Sequence, residues 1–204
     1  MNAKIRNTFL TLGVTPGFAV ALLSSIFASA AFANTEGHAN HVRSHAELEM
    51  YSYEAPDACD PKATQVRMTV TGLTGGGILT LELYNDPEHF LAKAGRVRRV
   101  RVPAGVGSQT VCMNVDAVGR YAAAGYHDKD GNRKLKKSMI KVPREPFALS
   151  NNPKIKALKF PKFSDSAFEV GIGGTNITLE LVDLKKQKKL EKAARKLEKA
   201  ANKE

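Results

Sequence analysis

The sequence predicts an all-β fold: an antiparallel β-sandwich of about seven short strands, set between an export signal and a basic helical tail. Three observations predict it. Short segments alternate apolar and polar residues, Gly-rich turns separate them, and no helix-length apolar pattern falls between strands, which argues against a parallel α/β sheet. The 204 residues, 43% of them hydrophobic, are enough for one core that does not depend on crosslinks.

Residues 1–33 read as a signal peptide. Lys4 and Arg6 precede an apolar stretch, densest at 18–27, and small residues at Ala31 and Ala33 place cleavage after Ala33. Pro16 and Gly17 interrupt the apolar run and leave it short of the ~20 residues that a bilayer span needs. A periplasmic or secreted location follows. Residues 34–63 show weak periodicity and read as a flexible N-terminal arm that becomes fixed near Cys59. In an oxidising compartment Cys59 and Cys112 pair most simply as one disulfide.

The sandwich domain is expected over 64–184. Val66, Met68 and Val70 alternate with Arg67 and Thr69, and Leu79, Leu81 and Leu83 alternate with Thr80, Glu82 and Tyr84. With a glycine-rich turn over 72–77, the pair reads as a hairpin with one buried face. Residues 86–94 read as a helical turn capped by Asp86. In the strand RVRRVRV, Val97 is out of phase with Val100 and Val102, which predicts a bulge. Val111, Met113 and Val115 share one strand face. Cys112 therefore takes the other, and its disulfide should draw the arm across the outside or edge of the sheet. Three more strands follow: 121–126, Phe168 with Val170 and Ile172, and Ile177 with Leu179 and Leu181 after the Gly173-Gly174 turn. Residues 185–204 form an amphipathic helical tail with a thin stripe of Leu190, Ala193, Ala194, Leu197, Ala200 and Ala201.

Net charge is +11, and the tail alone carries nine Lys/Arg and three Glu. The folded part is only mildly basic. An anionic envelope surface is thus the partner that the tail suits. With no Trp and 7% aromatics the chain is poor in stacking platforms, and no nucleic-acid partner is expected.

The segments GRYAAAGYHDKDGN (119–132), FALSNNP (147–153) and FSDSAFEVG (163–171), with VTGL (70–73) and LELYNDPEHF (81–90) upstream, resemble the bacterial domain-of-unknown-function family 2141 over roughly residues 64–182. That family's pattern is a Gly-x-Tyr strand, His-Asp-x-Asp/Asn-Gly-Asn, then Phe-Ser-Asn-Asn. The resemblance implies an exported transthyretin-like or Cna-B-like sandwich and no assigned activity. The chain departs from the pattern after Asn132. Arg133 stands where the family commonly has Gly, and Lys136 where it has an acid. Pro146-Phe147 replaces the Gly before Phe-Ser-Asn-Asn, with Ala148-Leu149 inserted.

The candidate binding residues are His127, Asp128, Asp130, Asn132, Ser150, Asn151 and Asn152, expected to line one polar end. Asp128, Asp130 and Asn132 have the alternate spacing of calcium-loop ligands. Arg133 and Met139, however, occupy the positions where an EF-hand has its Gly and its bidentate Glu, and neighbouring lysines repel a cation. An Asx-rich turn is the expected structure, with calcium as the alternative. His38, His41 and His45 share a helical spacing suited to zinc, copper or nickel but lack a scaffold. His127 beside Asp128 invites a general-base reading and hence a hydrolase, yet no Ser or Cys nucleophile has a recognisable setting. Arg96, Arg98, Arg99 and Arg101 read as charge protecting an edge strand, with phosphate contact as the alternative. The function expected is a non-enzymatic exported module with a binding or structural role in the cell envelope. Divalent-metal binding through the 128–132 loop and the hydrolase reading stand as alternatives.

N-terminal sequencing of protein recovered outside the cytoplasm should begin at Asn34. An exported chain that still starts at Met1 would refute the signal peptide.

Overall fold

A computed structural model describes residues 48–140, 142–155 and 161–201. The expected signal peptide and His38, His41 and His45 lie outside the described residues. These residues form eight strands: β1 (Gln65–Thr74), β2 (Ile78–Tyr84), β3 (Arg96–Pro103), β4 (Val106–Asn114), β5 (Gly119–Asp128), β6 (Phe147–Leu149), β7 (Ala167–Val170) and β8 (Thr175–Glu180). One sheet has the order β4-β1-β8 and the other β3-β2-β5-β6, with β7 paired to the start of β5. A short helix α1 (Phe163–Ser166) precedes β7, and helix α2 (Leu184–Ala201) follows β8.

The period-two pattern builds the core as expected. Val66, Met68 and Val70 of β1, Val111 and Met113 of β4 and Leu179 of β8 meet Leu79, Leu81 and Leu83 of β2 and Val100 of β3 across the two sheets. Burying each such side chain is worth roughly 1.5–3 kcal/mol, so this layer dominates stability.

Three expectations need correction. The strands number eight among the described residues, because the three-residue β6 is too short for any periodicity to reveal. The sandwich is not wholly antiparallel, since β1 and β8 pair in parallel, from Val66–Thr175 to Thr71–Glu180. And β1 and β2 do not form a hairpin. They belong to opposite sheets, so their apolar faces meet across the core instead of lying side by side. Gly75, Gly76 and Gly77 all have φ near +70° (76°, 68° and 68°), which lets the chain turn a corner that L side chains resist. A Cβ on Gly77 would fall 2.2 Å from the Asp128 carbonyl oxygen. Alternation specifies a buried face, and that face serves a hairpin or a stacked pair equally well.

Other local readings hold. The β2–β3 register passes from Leu83–Arg98 to Tyr84–Arg96, leaving Val97 as the bulged residue. Asp86 Oδ1 accepts hydrogen bonds from the amides of Glu88 and His89, capping a turn that does not extend to a helix. Phe147 and Val182 exchange two backbone hydrogen bonds, of 3.1 and 2.8 Å, which join the sheets at one corner. Asp183 Oδ1 then caps α2 by accepting from Lys185 and Lys186. The helix is exposed along almost its whole described length, Leu190 and Leu197 included. Among the described residues no helix is long and apolar enough to cross a membrane.

Of the arm expected to be flexible, the described part packs. Cys59 and Cys112 form a disulfide with a Cα–Cα distance of 5.3 Å. Cys112 pairs with Arg67 in the β1–β4 register, on the face opposite Val111 and Met113. The arm runs along edge strand β4: the Asp57 amide donates to the Cys112 carbonyl at 3.0 Å, and Asp57 Oδ2 accepts from the Asn114 amide and from Arg98, both at 2.7 Å. The edge is thereby covered, as unpaired edges in β-proteins usually are.

Unreduced, denatured protein should show no thiol on labelling. Replacing both cysteines with serine should destabilise the fold by about 2–4 kcal/mol in denaturant unfolding. Two reactive thiols, or unchanged stability in the double variant, would contradict the pairing or its role.

Candidate functional site

Strand alternation gives the five-stranded sheet a second face, turned away from the core. Its residues form rows set by register. Arg101, Thr80, Tyr126 and Phe147 make one row, and Arg99, Glu82, Ala124 and Leu149 the next. Each row is charged at the β3 edge and apolar over β5 and β6. This face does not meet bulk water directly. Segments on either side of it enclose a groove of about 790 Å³. Tyr84, Ala124, Tyr126, Phe147 and Leu149 form its floor, and Leu135, Ile140, Val142, Ile155 and Leu184 rise around it. Arg99, Arg101, Arg133, Lys134, Lys137 and Lys188 supply six cations to the lining, against the carboxylates of Glu82 and Glu191. The volume falls within the range of small-molecule sites, about 300–1,000 Å³.

The cationic wall is built around Glu54, which ends a 3-10 turn (Ser52–Glu54) in the arm. Glu54 is 6% exposed. Its carboxylate accepts from Arg101 and Arg133, with Arg99 at 3.7 Å. Glu82 accepts from Arg96 at 2.7 Å and from Arg99 at 2.9 Å. Four guanidiniums thus share two carboxylates. Arg133 also donates to the Glu49 carbonyl and lies 4.4 Å over the Tyr51 ring. The edge-strand arginines are therefore not simply solvated charge. β3 is an edge strand, but Arg99 and Arg101 turn inward onto the outer face and are held in place.

The sequence-selected polar residues are distributed differently. His127 and Asp128 are neighbours on β5 and point to opposite faces. His127 is fully buried, paired in register with Leu79, and its Nε2 donates to the Gly76 carbonyl at 2.7 Å. Burial holds its pKa below the usual histidine value. Asp128 is fully buried under the following turn and accepts from the amides of Asn132 (3.2 Å) and Arg133 (2.5 Å). The structure therefore does not bring the His127 and Asp128 side chains together.

Asp128 and Asp130 come together with Glu145, their carboxylate oxygens within 4.8 Å of one another. Glu145 carried no motif that would have identified it. Burial, then a hydrogen bond to Asp130, pushes the Asp128 pKa up to about 6, and burial also raises that of Glu145. Burial acts on Asp130 in the same direction, but the Lys136 ammonium and the proton from Asp128 bring its pKa below the ordinary value. Lys136 pairs directly with Asp130. Asn132 Nδ2 donates to Asp130 at 2.9 Å, and its Oδ1 accepts from the Lys134 amide. The loop is an Asx-rich turn whose charge is balanced by its own lysine.

Ser150, Asn151 and Asn152 do not share an end of the molecule with it. Ser150 Oγ accepts from the Ala123 amide and donates to the Ser166 carbonyl. Ala123 lies five residues before Asp128 on β5, about 17 Å along the strand. Asn151 donates to the Ala167 carbonyl at 2.8 Å. Asn152 bridges the Thr178 carbonyl (3.1 Å) and the Glu180 amide (2.8 Å). Both asparagines have positive φ, 62° and 45°, which Asn tolerates better than most residues. Their polar atoms tie β6 to β7 and β8.

Residues 68–178 match the family described as "uncharacterized protein conserved in bacteria", DUF2141. No curated protein and no solved structure matches the chain.

The raised pKa of Asp128 has a direct consequence for stability. Between its ordinary value of 3.8 and about 6 the folded state holds a proton that the unfolded chain releases. This contribution is present below 3.8 and is lost as pH rises through about 6. His127 acts oppositely, because its lowered pKa removes stability as pH falls, but it does so equally in an Asp128→Asn variant. The stability of the parent minus that of Asp128→Asn, from denaturant unfolding at a series of pH values, should therefore fall across this window and be flat above it. A difference that rises with pH would contradict the assignment.

Proposed function

The chain belongs to the uncharacterised bacterial family DUF2141, and from that premise we propose that it is an exported, non-enzymatic binding module whose groove takes an anionic amphiphile. The apolar part of the ligand lies along Ala124, Tyr126, Phe147 and Leu149, and its acidic group faces the cations at the β3 side. One observation carries this reading: an apolar floor and six cationic side chains line the same groove. Arg forks suit carboxylate and phosphate groups, and the excess of guanidiniums over carboxylates in the wall favours a further anion. The disulfide is consistent with work outside the cytoplasm. The two facing sheets support grouping the chain with transthyretin-like or Cna-B-like sandwiches.

A divalent-cation role gains Glu145 as a third carboxylate, yet a cation would have to displace Lys136 from Asp130. That reading therefore stands behind the amphiphile.

The test uses a fluorescent long-chain fatty acid displaced by palmitate. The chain should bind the probe, palmitate should compete, and the uncharged methyl ester should compete at least about tenfold less well. Ala124→Trp, which fills the floor, should weaken probe binding to a similar degree while the circular dichroism spectrum is kept. Equal competition by the ester would remove the cationic wall from the function. Probe binding unaffected by Ala124→Trp would place the ligand elsewhere.

A further inference from the structure

Beyond the groove itself, the loop over 136–144 has a construction of its own. Lys137 and Pro143 pair as an antiparallel bridge. The Ser138 amide donates to the Val142 carbonyl and the Arg144 amide to the Lys136 carbonyl, each at 2.8 Å. The Val142 amide returns to Ser138 Oγ at 3.1 Å. These bonds make a small hairpin, and between Ser138 and Val142 its described residues are Met139 and Ile140. Met139 is 100% exposed and Ile140 65%. Two large apolar side chains at the end of a hydrogen-bonded projection lose free energy in water and contribute nothing to the core.

The surrounding charge indicates what covers them. Between Lys134 and Arg144 the sequence has five cations and no acid. Lys134, Lys137 and Arg144 are exposed. Helix α2 begins beside the same rim, where Leu184, Gln187 and Lys188 share the groove lining with Ile140 and Val142. Its Leu190 and Leu197 stripe is exposed among lysines. An apolar tip backed by cations matches an anionic bilayer, where side chains enter the acyl boundary and lysines meet headgroups at roughly 1 kcal/mol each.

We propose that the 136–144 hairpin docks the protein on an anionic phospholipid bilayer by inserting Met139 and Ile140, with the exposed lysines of the hairpin and of α2 on the headgroups. The groove mouth, rimmed by Ile140 and Leu184, then faces the membrane. Docking does not require the groove to hold an amphiphile, and the two are read by separate assays.

The chain contains no Trp, so Met139→Trp introduces a single indole at the tip. The probe is a vesicle of phosphatidylglycerol and phosphatidylethanolamine, added to the purified chain in its processed form. Indole emission should shift to the blue on vesicle addition and be quenched by lipid brominated in its acyl chains. Vesicles of phosphatidylcholine alone should give neither effect. Met139→Ser, neutral and outside the groove lining, should lower affinity for the anionic vesicles about tenfold, the loss expected for one large apolar side chain. It should leave fatty-acid probe binding and melting temperature unchanged. Part of the parent's binding should survive high salt, which screens the lysines but not the insertion. An indole that stays solvent-exposed on bound vesicles, or a Met139→Ser variant that binds as well as the parent, would overturn the hairpin as the inserting element. So would binding that vanishes wholly with salt, which would leave electrostatic attachment alone. Lost docking with intact probe binding refutes nothing about the groove, and the converse pattern refutes the groove but not the docking.

Discussion

Glu54 is the carboxylate around which the cationic wall of the groove is arranged. An ion so fully removed from water costs several kcal/mol in lost hydration and persists only where opposite charge and hydrogen bonds replace the water. Arg101 and Arg133 supply both, with Arg99 close behind. The dependence runs in both directions. Without Glu54, three guanidiniums on β3 and the 128–136 loop would face one another across a space largely closed to solvent. Without the guanidiniums, the arm that carries Glu54 would have no reason to lie over the sheet. The disulfide and the Asp57–β4 contacts fix the next stretch of the same arm, so one segment both seals an edge of the three-stranded sheet and supplies the counter-charge for the other sheet.

The loop after β5 is subordinate to that arrangement. Arg133 holds a left-handed conformation, φ 65°, a region that favours Gly. A β-carbon there costs about 1 kcal/mol or more. The side chain offsets this through Glu54, the Glu49 carbonyl and the Tyr51 ring. The same logic covers Lys136, which pairs with Asp130. Two residues that look in the sequence like an unexplained gain of positive charge are thus both matched by acids. One of these, Glu54, lies 79 residues away in sequence.

That distance explains much of what was legible and what was not. The core strands were readable because alternation is local: Val66, Met68 and Val70 announce a buried face whatever pairs with it. The Val97 bulge and the outward Cys112 followed from the same parity. Parity could not say which strand lies beside which, so β1 and β2 read as a hairpin when Gly75, Gly76 and Gly77 carry the chain to the other sheet. It also could not reveal β6, where three residues suffice because β5 supplies the partner. The polar motifs were visible as motifs, but their use was not. A serine or asparagine that satisfies a neighbouring strand's backbone has the same letter as one that meets a ligand. The groove was the least legible part. Its floor is the ordinary second face of a sheet, its wall depends on the non-local Glu54, and its rim comes from the irregular stretch before β7 and the first turns of α2.

The two kinds of cation around the groove differ in chemistry and in placement. The arginines sit deep, their planar forks held by carboxylates, the Tyr51 ring and backbone carbonyls. They are always charged and already ordered, so an anion that meets them loses little further entropy in arranging its partners. The lysines sit outside, on the hairpin and along α2, where a strongly hydrated ammonium on a flexible stem acts through its field and not through fixed geometry. A field of that kind concentrates anionic surfaces over about a Debye length and selects weakly among them. Selectivity in such a protein would then reside in the arginine wall and the apolar floor, and attraction in the lysine rim. The placement of these residues supports that separation: each Arg from 96 to 101 lies on a strand whose register fixes it, whereas Lys136 and Lys137 lie on the hairpin and the lysines of 185–199 on an exposed helix. On the proposed function, binding energy from the inner site would be insulated from salt, and recruitment by the rim would not.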